Sequence, residues 1–404
     1  MKRFITILLT LAMIAVLGAC SKVEIPNKRL EETTDYDVKE ESEQSKGEIS
    51  DVATLSDDIY SFQVEINGDL YQFPMKYTDF INYGWTYQDE DTENVDSNYN
   101  LRGTFVNGLI CFADIYNFDI NARPVKECYI TGITINTYSE DRVGDFTLRL
   151  PKGLEFGKAT VKDIKNAYGK PTDTYHSKYD TRLTYQLDNY QEVEISVSKE
   201  NGTISKVVIE NVLKPKDFVE GEASTEVPEI VKKYKTPDKL GDNLSEFIVE
   251  YGGDLYQIPA PVSSFISNGW ELDETDTGIT VTGRGHGFVT LIKDDQRLEA
   301  KCINYCEDAT SIENCFVTNV ESGVYENDTN IVISQNLTIG SSVSDLEKAI
   351  VGVEHEKSTS SDTDKYYRIM PGESILDSYN ISVEEGTIDR IKIKNAPGYS
   401  KFTK

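Results

Sequence analysis

The six cysteines are the residues whose positions in this 404-residue chain point most directly to chemistry. If a hairpin turns about Asp308 and Ala309, residues whose numbers sum to 617 face each other, as Cys302 and Cys315 do. These two are therefore candidates for a cross-strand disulfide, with free, buried thiols as the alternative. A metal site at Cys302, Cys306 and Cys315 would need a fourth ligand, and no histidine lies near them in sequence. We expect no cofactor, and the sequence leaves open the redox state of Cys111, Cys128, Cys302, Cys306 and Cys315.

The three histidines, His176, His286 and His355, lack the spacing of a zinc hydrolase, and the sequence has no nucleophile elbow, Walker loop or dinucleotide-binding pattern. Gly283–Gly287, with the sequence Gly-Arg-Gly-His-Gly, is either a nucleophile-activating or anion-binding loop or a tight connection between strands. Glycine is common in tight turns, which favours the connection. We assign no catalytic residue and expect that the protein is not an enzyme.

The segment Asp89–Asn100 has oxygen-bearing side chains at alternate positions, a pattern that suits Ca²⁺. A calcium loop has Gly at its sixth position and Glu at its twelfth, where this segment has Asn94 and Asn100. We interpret the segment as a solvated acidic loop, and whether it binds calcium stays open.

Tyrosine is abundant, with 24 residues against two tryptophans. Tyr175, Tyr179, Tyr185 and Tyr190 lie close together in sequence and form a candidate binding face. An amphipathic ring provides contact area at low entropic cost, so such a face suits a protein or cell-wall partner.

The charge balance excludes one class of partner. The chain has 41 basic and 69 acidic side chains, a formal net charge of −28. A nucleic acid needs clustered cations that displace its counterions, so we expect no nucleic-acid partner. Hydrophobic residues make up 38% of the chain, enough for folded domains.

The sequence contains an internal repeat, so the secondary-structure elements that position these residues occur twice. Phe62–Trp85 and Phe247–Trp270 are identical at 13 of 24 positions at an offset of 185. Further matches follow in the same order: Asn117, Ala122, Cys128 and Thr131 with Asn304, Ala309, Cys315 and Thr318, then Gly202 and Asn211 with Gly386 and Asn395. Collinear matches of this kind indicate a duplication.

The repeats define the predicted organisation: an acidic disordered tether at 20–57, repeat unit 1 at 58–212, a linker at 213–243, repeat unit 2 at 244–396 and a tail at 397–404. Each unit combines segments of period two with short helical segments. The predicted fold class is α+β, with two tandem homologous domains of antiparallel sheet and short packed helices.

The first residues look like an export signal. Lys2 and Arg3 precede an apolar run, and Leu17-Gly18-Ala19-Cys20 resembles the lipobox of bacterial lipoproteins. The resemblance implies that residues 1–19 are a signal peptide that is removed and that Cys20 is lipidated. The mature chain is then anchored to the extracytoplasmic face of a bacterial membrane.

The last third of repeat unit 1 carries a second resemblance. Gly153–Gly157 and Tyr168–Pro171 precede alternating segments, an arrangement similar to BamE/SmpA-type lipoproteins and to β-lactamase inhibitory proteins. Unit 2 keeps Asp345 and Leu346 but lacks the Gly-x-Pro. The resemblance implies a helix followed by an antiparallel sheet, and it implies no function.

Together these observations predict a membrane-anchored extracytoplasmic lipoprotein that acts as a non-enzymatic binding or scaffold module toward protein or cell-envelope partners. Two alternatives stay open: an extracytoplasmic hydrolase acting on glycan or peptide, which needs paired carboxylates, and a solute-binding lipoprotein, which needs a cleft between the units.

Replacing Cys20 by serine tests the anchor. We expect Cys20→Ser to move the protein from the membrane fraction to the aqueous fraction, because the thiol is the only site for the lipid. Fractionation and the mass of the processed chain measure the effect, and Cys306→Ser is the matched control. A variant that still partitions with membranes at the same processed mass would contradict the prediction.

Overall fold

The computed structural model describes residues 54–89, 94–136, 146–273, 275, 280–323, 329–361, 364–372, 374 and 376–401. They belong to one compact unit, Ala53–Lys404. The signal segment, Cys20 and the tether as far as residue 53 lie outside the described residues. No helix in the described part of the chain has the length and apolarity to cross a bilayer.

Alternation of apolar and polar residues produces the opening hairpin of repeat 1. Val64 and Ile66 are buried while their neighbours are partly exposed, and Gln63–Ile66 pairs with Asp69–Gln72. The turn between the strands contains Gly68, whose φ of 92° is unfavourable for a residue with a side chain.

Repeat 1 contains two antiparallel sheets. Its strands are β1 Gln63–Ile66, β2 Asp69–Gln72, β3 Met75–Lys76, β4 Thr86–Tyr87, β5 Asn100–Val106, β6 Ile110–Tyr116, β7 Tyr129–Asn136, β8 Leu148–Leu150, β9 Leu154–Glu155, β10 Asp173–His176, β11 Asp180–Asp188, β12 Gln191–Ser198 and β13 Ile204–Asn211. The order is β2-β1-β8-β9 in the small sheet and β10-β11-β12-β13-β7-β6-β5-β4 in the large one, where β3 also pairs with β7. The helices are α1 Tyr77–Asn82 and α2 Val161–Tyr168.

Repeat 2 follows the same order of elements with one additional pair of short strands, Thr280–Val281 and Thr310–Ser311. Its strands are β14 Ile248–Tyr251, β15 Asp254–Gln257, β16 Ala260–Pro261, β17 Glu271–Leu272, β18 Thr280–Val281, β19 His286–Lys293, β20 Gln296–Ile303, β21 Thr310–Ser311, β22 Phe316–Val317, β23 Asn319–Ser322, β24 Ile331–Ile333, β25 Leu337–Thr338, β26 His355–Thr359, β27 Lys365–Ile369, β28 Ser378–Glu384 and β29 Thr387–Lys394. The helices are α4 Val262–Ser267 and α5 Val343–Ala349, and α3 Glu229–Lys232 lies between the repeats. The counterpart of β7 is divided at Thr318, so the large sheet becomes β16-β22-β20-β19-β17 and β23-β29-β28-β27-β26.

The predicted α+β class is wrong, because the described residues form mainly antiparallel sheet. The helical signals are genuine but short: Thr160 and Asp163 form a capping box at the start of α2, and Gly169 ends the helix after eight residues. The helices among the described residues have four to eight residues, too few to form a layer of their own. Segments of period two fill the rest of each repeat.

Each repeat has its own apolar core. Trp85 lies in the first core, stacked on Phe80 at a centroid distance of 5.1 Å, and its indole donates to the Tyr71 hydroxyl over 3.0 Å. Trp270 lies in the second core, stacked on Tyr251 at 5.8 Å. Both tryptophans therefore stabilise the repeats in which they occur.

The segment between the repeats packs on both of them. Phe218 contacts the rings of Phe118 and Tyr129 in repeat 1. Ser224 forms a parallel bridge with Thr310 in repeat 2. The segment predicted as a linker at 213–243 thus contributes to the packing of the compact unit.

Two equivalent loops meet where the repeats join. The buried amide of Asn117 donates to the carbonyl of Asn121 over 2.8 Å, and that of Asn304 donates to Asp308 over 2.8 Å. The loops also bond to each other, since the Ala309 N–H donates to the Asn121 side chain over 2.6 Å. Buried polar groups need such partners, so these bonds determine how closely the repeats approach.

Gly283 lies at the closest point of this junction. Its N–H donates to the carbonyl of Ile120 over 2.7 Å, while the N–H of Ala122 donates to Glu307 over 2.7 Å. A Cβ atom at position 283 would lie 1.8 Å from the Glu307 carbonyl oxygen and 2.5 Å from the Ala122 nitrogen. No side chain fits there without moving the backbones apart.

We expect Gly283→Ala to lower the free energy of unfolding by about 2–4 kcal/mol, because relief of the clash breaks hydrogen bonds of the junction. Urea denaturation measures the change. Gly372→Ala is the control, since a Cβ there has no atom within 4 Å, and we expect a change within about 0.5 kcal/mol. Equal effects of the two substitutions would contradict the prediction.

Candidate binding sites

The four tyrosines predicted as one binding face do not form one. Tyr175, Tyr179 and Tyr190 are 53%, 70% and 54% exposed, whereas Tyr185 is 1% exposed and its hydroxyl donates to the Gly169 carbonyl. Tyr185 has the same parity as Leu183 on β11, which places it in the core. Tyr179 precedes β11 and Tyr190 lies in the turn after it. The nine residues of β11 separate the two tyrosines by about 30 Å, at 3.3 Å per residue.

Tyr175 and Tyr179 line a groove of about 820 Å³ on the outer face of β10–β13. The guanidinium of Arg182 lies 5.0 Å from the centroid of the Tyr175 ring, and the ammonium of Lys178 lies 5.1 Å from that of Tyr179. Glu194 pairs with Arg182 at 3.3 Å, which holds the guanidinium in the groove. Strand β10 is the edge of its sheet, so the groove lies beside an open row of backbone groups.

Cys302 and Cys315 lie side by side in the core of repeat 2 as free, buried thiols. The register differs from the expected one by two residues, because Cys302 lies opposite Val317 and Cys315 precedes β22. The Cys302 thiol beside it and burial both raise the pKa of Cys315. A disulfide between them stays a prediction.

The other thiols are also protected. Burial raises the pKa of Cys111, that of Cys128 to about 12, and that of Cys306 to about 11. Within the described part of the chain, no three His, Cys, Asp or Glu side chains come together as metal ligands. Residues 90–93 of the acidic segment lie outside that part, so the question of calcium there is unchanged.

A second cavity, the junction pocket, lies where repeat 1 meets repeat 2. Its volume is about 810 Å³. Residues 96–99 of repeat 1 form one wall, and the segment 396–399 after β29 forms another. The remaining lining comes from repeat 2 and includes Arg284, His286, Lys301, Lys392 and Lys394. Five side chains that are cationic or can become so thus line one cavity of a strongly acidic protein.

Arg284 connects the walls of the junction pocket. Its guanidinium pairs with Glu307 at 2.9 Å and with Asp96 of repeat 1 at 3.7 Å. It also lies 5.7 Å from the centroid of the Tyr399 ring, and the Tyr399 hydroxyl donates to the Arg284 carbonyl. Burial raises the pKa of Asp96, and Arg284 opposes that effect. The arginine therefore holds the C-terminal segment and the repeat 1 loop against repeat 2.

His286 and the lysines of the pocket differ in their charge at neutral pH. Burial and the nearby Lys301 ammonium lower the pKa of His286, so it is mainly neutral at pH 7. Lys392 pairs with Glu321 at 2.8 Å. In the described residues Lys301 and Lys394 have no ion-pair partner. The lysines and Arg284 thus supply the positive charge of the pocket at neutral pH.

Sequence reasoning found part of this site. Gly283–Gly287 is the tight connection it favoured, since the Gly285 N–H donates to Thr282 just before β19, but the same loop also places Arg284 and His286 in the pocket. Lys301, Lys392 and Lys394 were missed. The available signal was the alternation over 391–394, which puts Lys392 and Lys394 on one face of a predicted strand.

A comparison with protein-family models finds none that matches this chain, and a comparison with curated proteins likewise finds no match. The resemblances to lipobox lipoproteins and to BamE/SmpA-type modules therefore stay hypotheses based on the motifs quoted above.

The raised thiol pKa values predict slow alkylation. At pH 8 we expect native Cys306 to react with iodoacetamide on the order of 100-fold more slowly than a thiol of ordinary pKa, because little thiolate is present. Peptide mapping by mass spectrometry measures the rate, and the urea-unfolded chain is the control. Fast labelling of native Cys306 would contradict the prediction.

Alkylation of the chain unfolded without reductant also tests the disulfide. A Cys302–Cys315 disulfide would leave two thiols unlabelled, whereas free thiols would all be labelled.

Proposed function

We propose that the protein is a lipid-anchored extracytoplasmic binding module that holds a protein partner of the cell envelope without catalysing a reaction. The lipobox and the acidic tether support the location, because together they would hold the folded repeats outside the membrane surface. The observation that carries the binding role is the groove with Tyr175 and Tyr179 at the edge of the large sheet.

The composition of the groove suits a protein surface. Tyrosine and arginine dominate the energetics of protein interfaces, and Tyr175, Tyr179 and Arg182 are together here. The exposed rings lie beside the edge strand β10, to which an extended segment of a partner can add its backbone. The two cation–ring contacts keep the tyrosines ordered before binding, which lowers the entropy lost on association.

The hydrolase alternative has one observation in its favour. Asp114 and Glu210 both pair with Gly132 across adjacent strands, which places them about 10 Å apart on one face. Burial raises the pKa of both carboxyls. This spacing is near that of an inverting glycosidase, but neither residue lines the groove or the junction pocket, and for this reason we favour binding.

Photo-crosslinking tests the groove. With the lipidated chain in intact cells and a photoreactive phenylalanine analogue in place of Tyr179, we expect one discrete adduct with a protein partner. Tyr175→Ala in the same chain should reduce its yield by at least about tenfold, because an interface tyrosine commonly contributes 2 kcal/mol or more.

The matched control carries the photoreactive group at position 190, where the native tyrosine is also exposed, at 54%, but lies at the other end of β11. The same adduct from both positions, or an adduct at position 179 that Tyr175→Ala leaves unchanged, would show that the groove is not the interface.

A further inference from the structure

Equivalent threonines lie where the large sheet is interrupted in each repeat, at a shift of register in repeat 1 and at the break between β22 and β23 in repeat 2. The hydroxyl of Thr131 donates to the carbonyl of Asp114 over 3.2 Å, and the hydroxyl of Thr318 donates to the carbonyl of Lys301 over 3.2 Å. The two threonines are among the residues matched between the repeats, 187 positions apart. Asp114 and Lys301 therefore occupy equivalent positions in the two repeats.

The neighbouring strand extends this equivalence. The residue after each threonine pairs with the last strand of its repeat, Gly132 with Glu210 and Asn319 with Lys394. Repeat 1 thus has an acidic residue at both positions, and repeat 2 has a lysine at both. The backbone arrangement is the same, and the charge is reversed.

The acidic pair has a cation beside it, whereas the basic pair has no anion. Arg102 lies opposite Asp114 and opposes the effect of burial on its pKa. The residue opposite Lys301 is Phe288, which carries no charge. Neither Lys301 nor Lys394 has an ion-pair partner in the described part of the chain. Two ammonium groups on one face repel each other unless an anion lies between them.

A shortage of carboxylates does not explain the missing partner. The chain has 69 acidic residues for 41 basic ones, and Lys392 on the same strand pairs with Glu321 at 2.8 Å. Lys301 and Lys394 line the junction pocket together with Arg284. Two lysines without an ion-pair partner therefore lie on this concave surface between the repeats.

We propose that the junction pocket binds a small anionic sugar, with its phosphate or carboxylate held between Lys301 and Lys394. The volume of about 810 Å³ is in the range of small-molecule sites. Asn319 also lines the pocket and can donate from its side-chain nitrogen, and Tyr99, which is 56% exposed, offers a ring face. The pocket is separate from the groove at β10, so this ligand goes beyond the protein partner proposed above.

Calorimetric titration of the full chain in non-ionic detergent tests the proposal, at about 50 mM salt where screening is modest. The probes are glucose 6-phosphate for a phosphate, glucuronate for a carboxylate, and glucose as the neutral sugar. We expect saturable binding of at least one anionic probe with a Kd between about 1 μM and 1 mM, and no binding of glucose. The anionic probe that binds identifies the group.

The double variant Lys301→Asp/Lys394→Glu introduces the residues of repeat 1 and should weaken this binding by at least about tenfold, because the anion then meets two carboxylates. The matched control is Lys233→Asp/Lys235→Glu, which changes the net charge equally at exposed positions outside the pocket and should alter the Kd by less than about twofold. If circular dichroism shows that the charge-reversed variant is misfolded, Lys301→Gln/Lys394→Gln takes its place, with the same expected loss.

Three results would overturn the proposal: glucose binding as well as the anionic probes, neither anionic probe binding up to about 10 mM, or the pocket and control variants losing affinity equally. None of these results depends on the partner at the β10 groove, so the two proposals fail separately.

Discussion

The hydrogen bond from the Ala122 N–H to the Glu307 carbonyl, 2.7 Å long, brings the backbones of the two repeats into direct contact. The rest of the junction depends on this approach. It requires a residue without a side chain at position 283, and it buries amides that need partners, which Asn117 and Asn304 supply through the same local bonds. Arg284, the neighbour of Gly283, is thereby placed in the pocket by the backbone contact itself. A rigid backbone at this point gives the pocket defined walls from both repeats.

In the duplicated sheet, inward side chains must stay apolar in both repeats, whereas outward side chains can differ. Inward side chains of β6, β7 and β13 form the core, so their apolar character is required in both repeats. Outward side chains contribute little to that core. The interruption of the sheet at Thr131 and Thr318 is held by a hydroxyl and a carbonyl, whichever side chain lies beside it. The outward face could therefore reverse its charge from Asp114 and Glu210 to Lys301 and Lys394 without a change of fold.

Local features of the sequence predicted local structure well. The turn residues Asn67 and Gly68 account for the first hairpin. The alternation along β11 puts Tyr185 in the core, and the prediction of a four-tyrosine face failed because it did not apply that alternation. Longer-range features could not be predicted. The pairing of Cys302 with Val317 depends on a loop held by buried amide bonds, where a tight turn was assumed. The helix signals led to the wrong fold class. A capping box such as that of α2 shows where a helix begins, but it does not show that the helix is short. The junction pocket combines residues nearly three hundred positions apart, and no period or motif in the sequence encodes that contact.

The net charge of −28 and the cationic pocket act over different distances. Carboxylates spread over the surface repel an approaching anion at long range, but at physiological ionic strength the Debye length is about 8 Å. The charged side chains that line the pocket are Arg284, Lys301, Lys392 and Lys394 against one carboxylate, Asp96, so a small anion that enters it is attracted. A polyanion such as a nucleic acid or an anionic bilayer cannot place its charge in the pocket alone and also meets the surrounding carboxylates. Surface charge and pocket charge together thus favour a small anion over a polyanion.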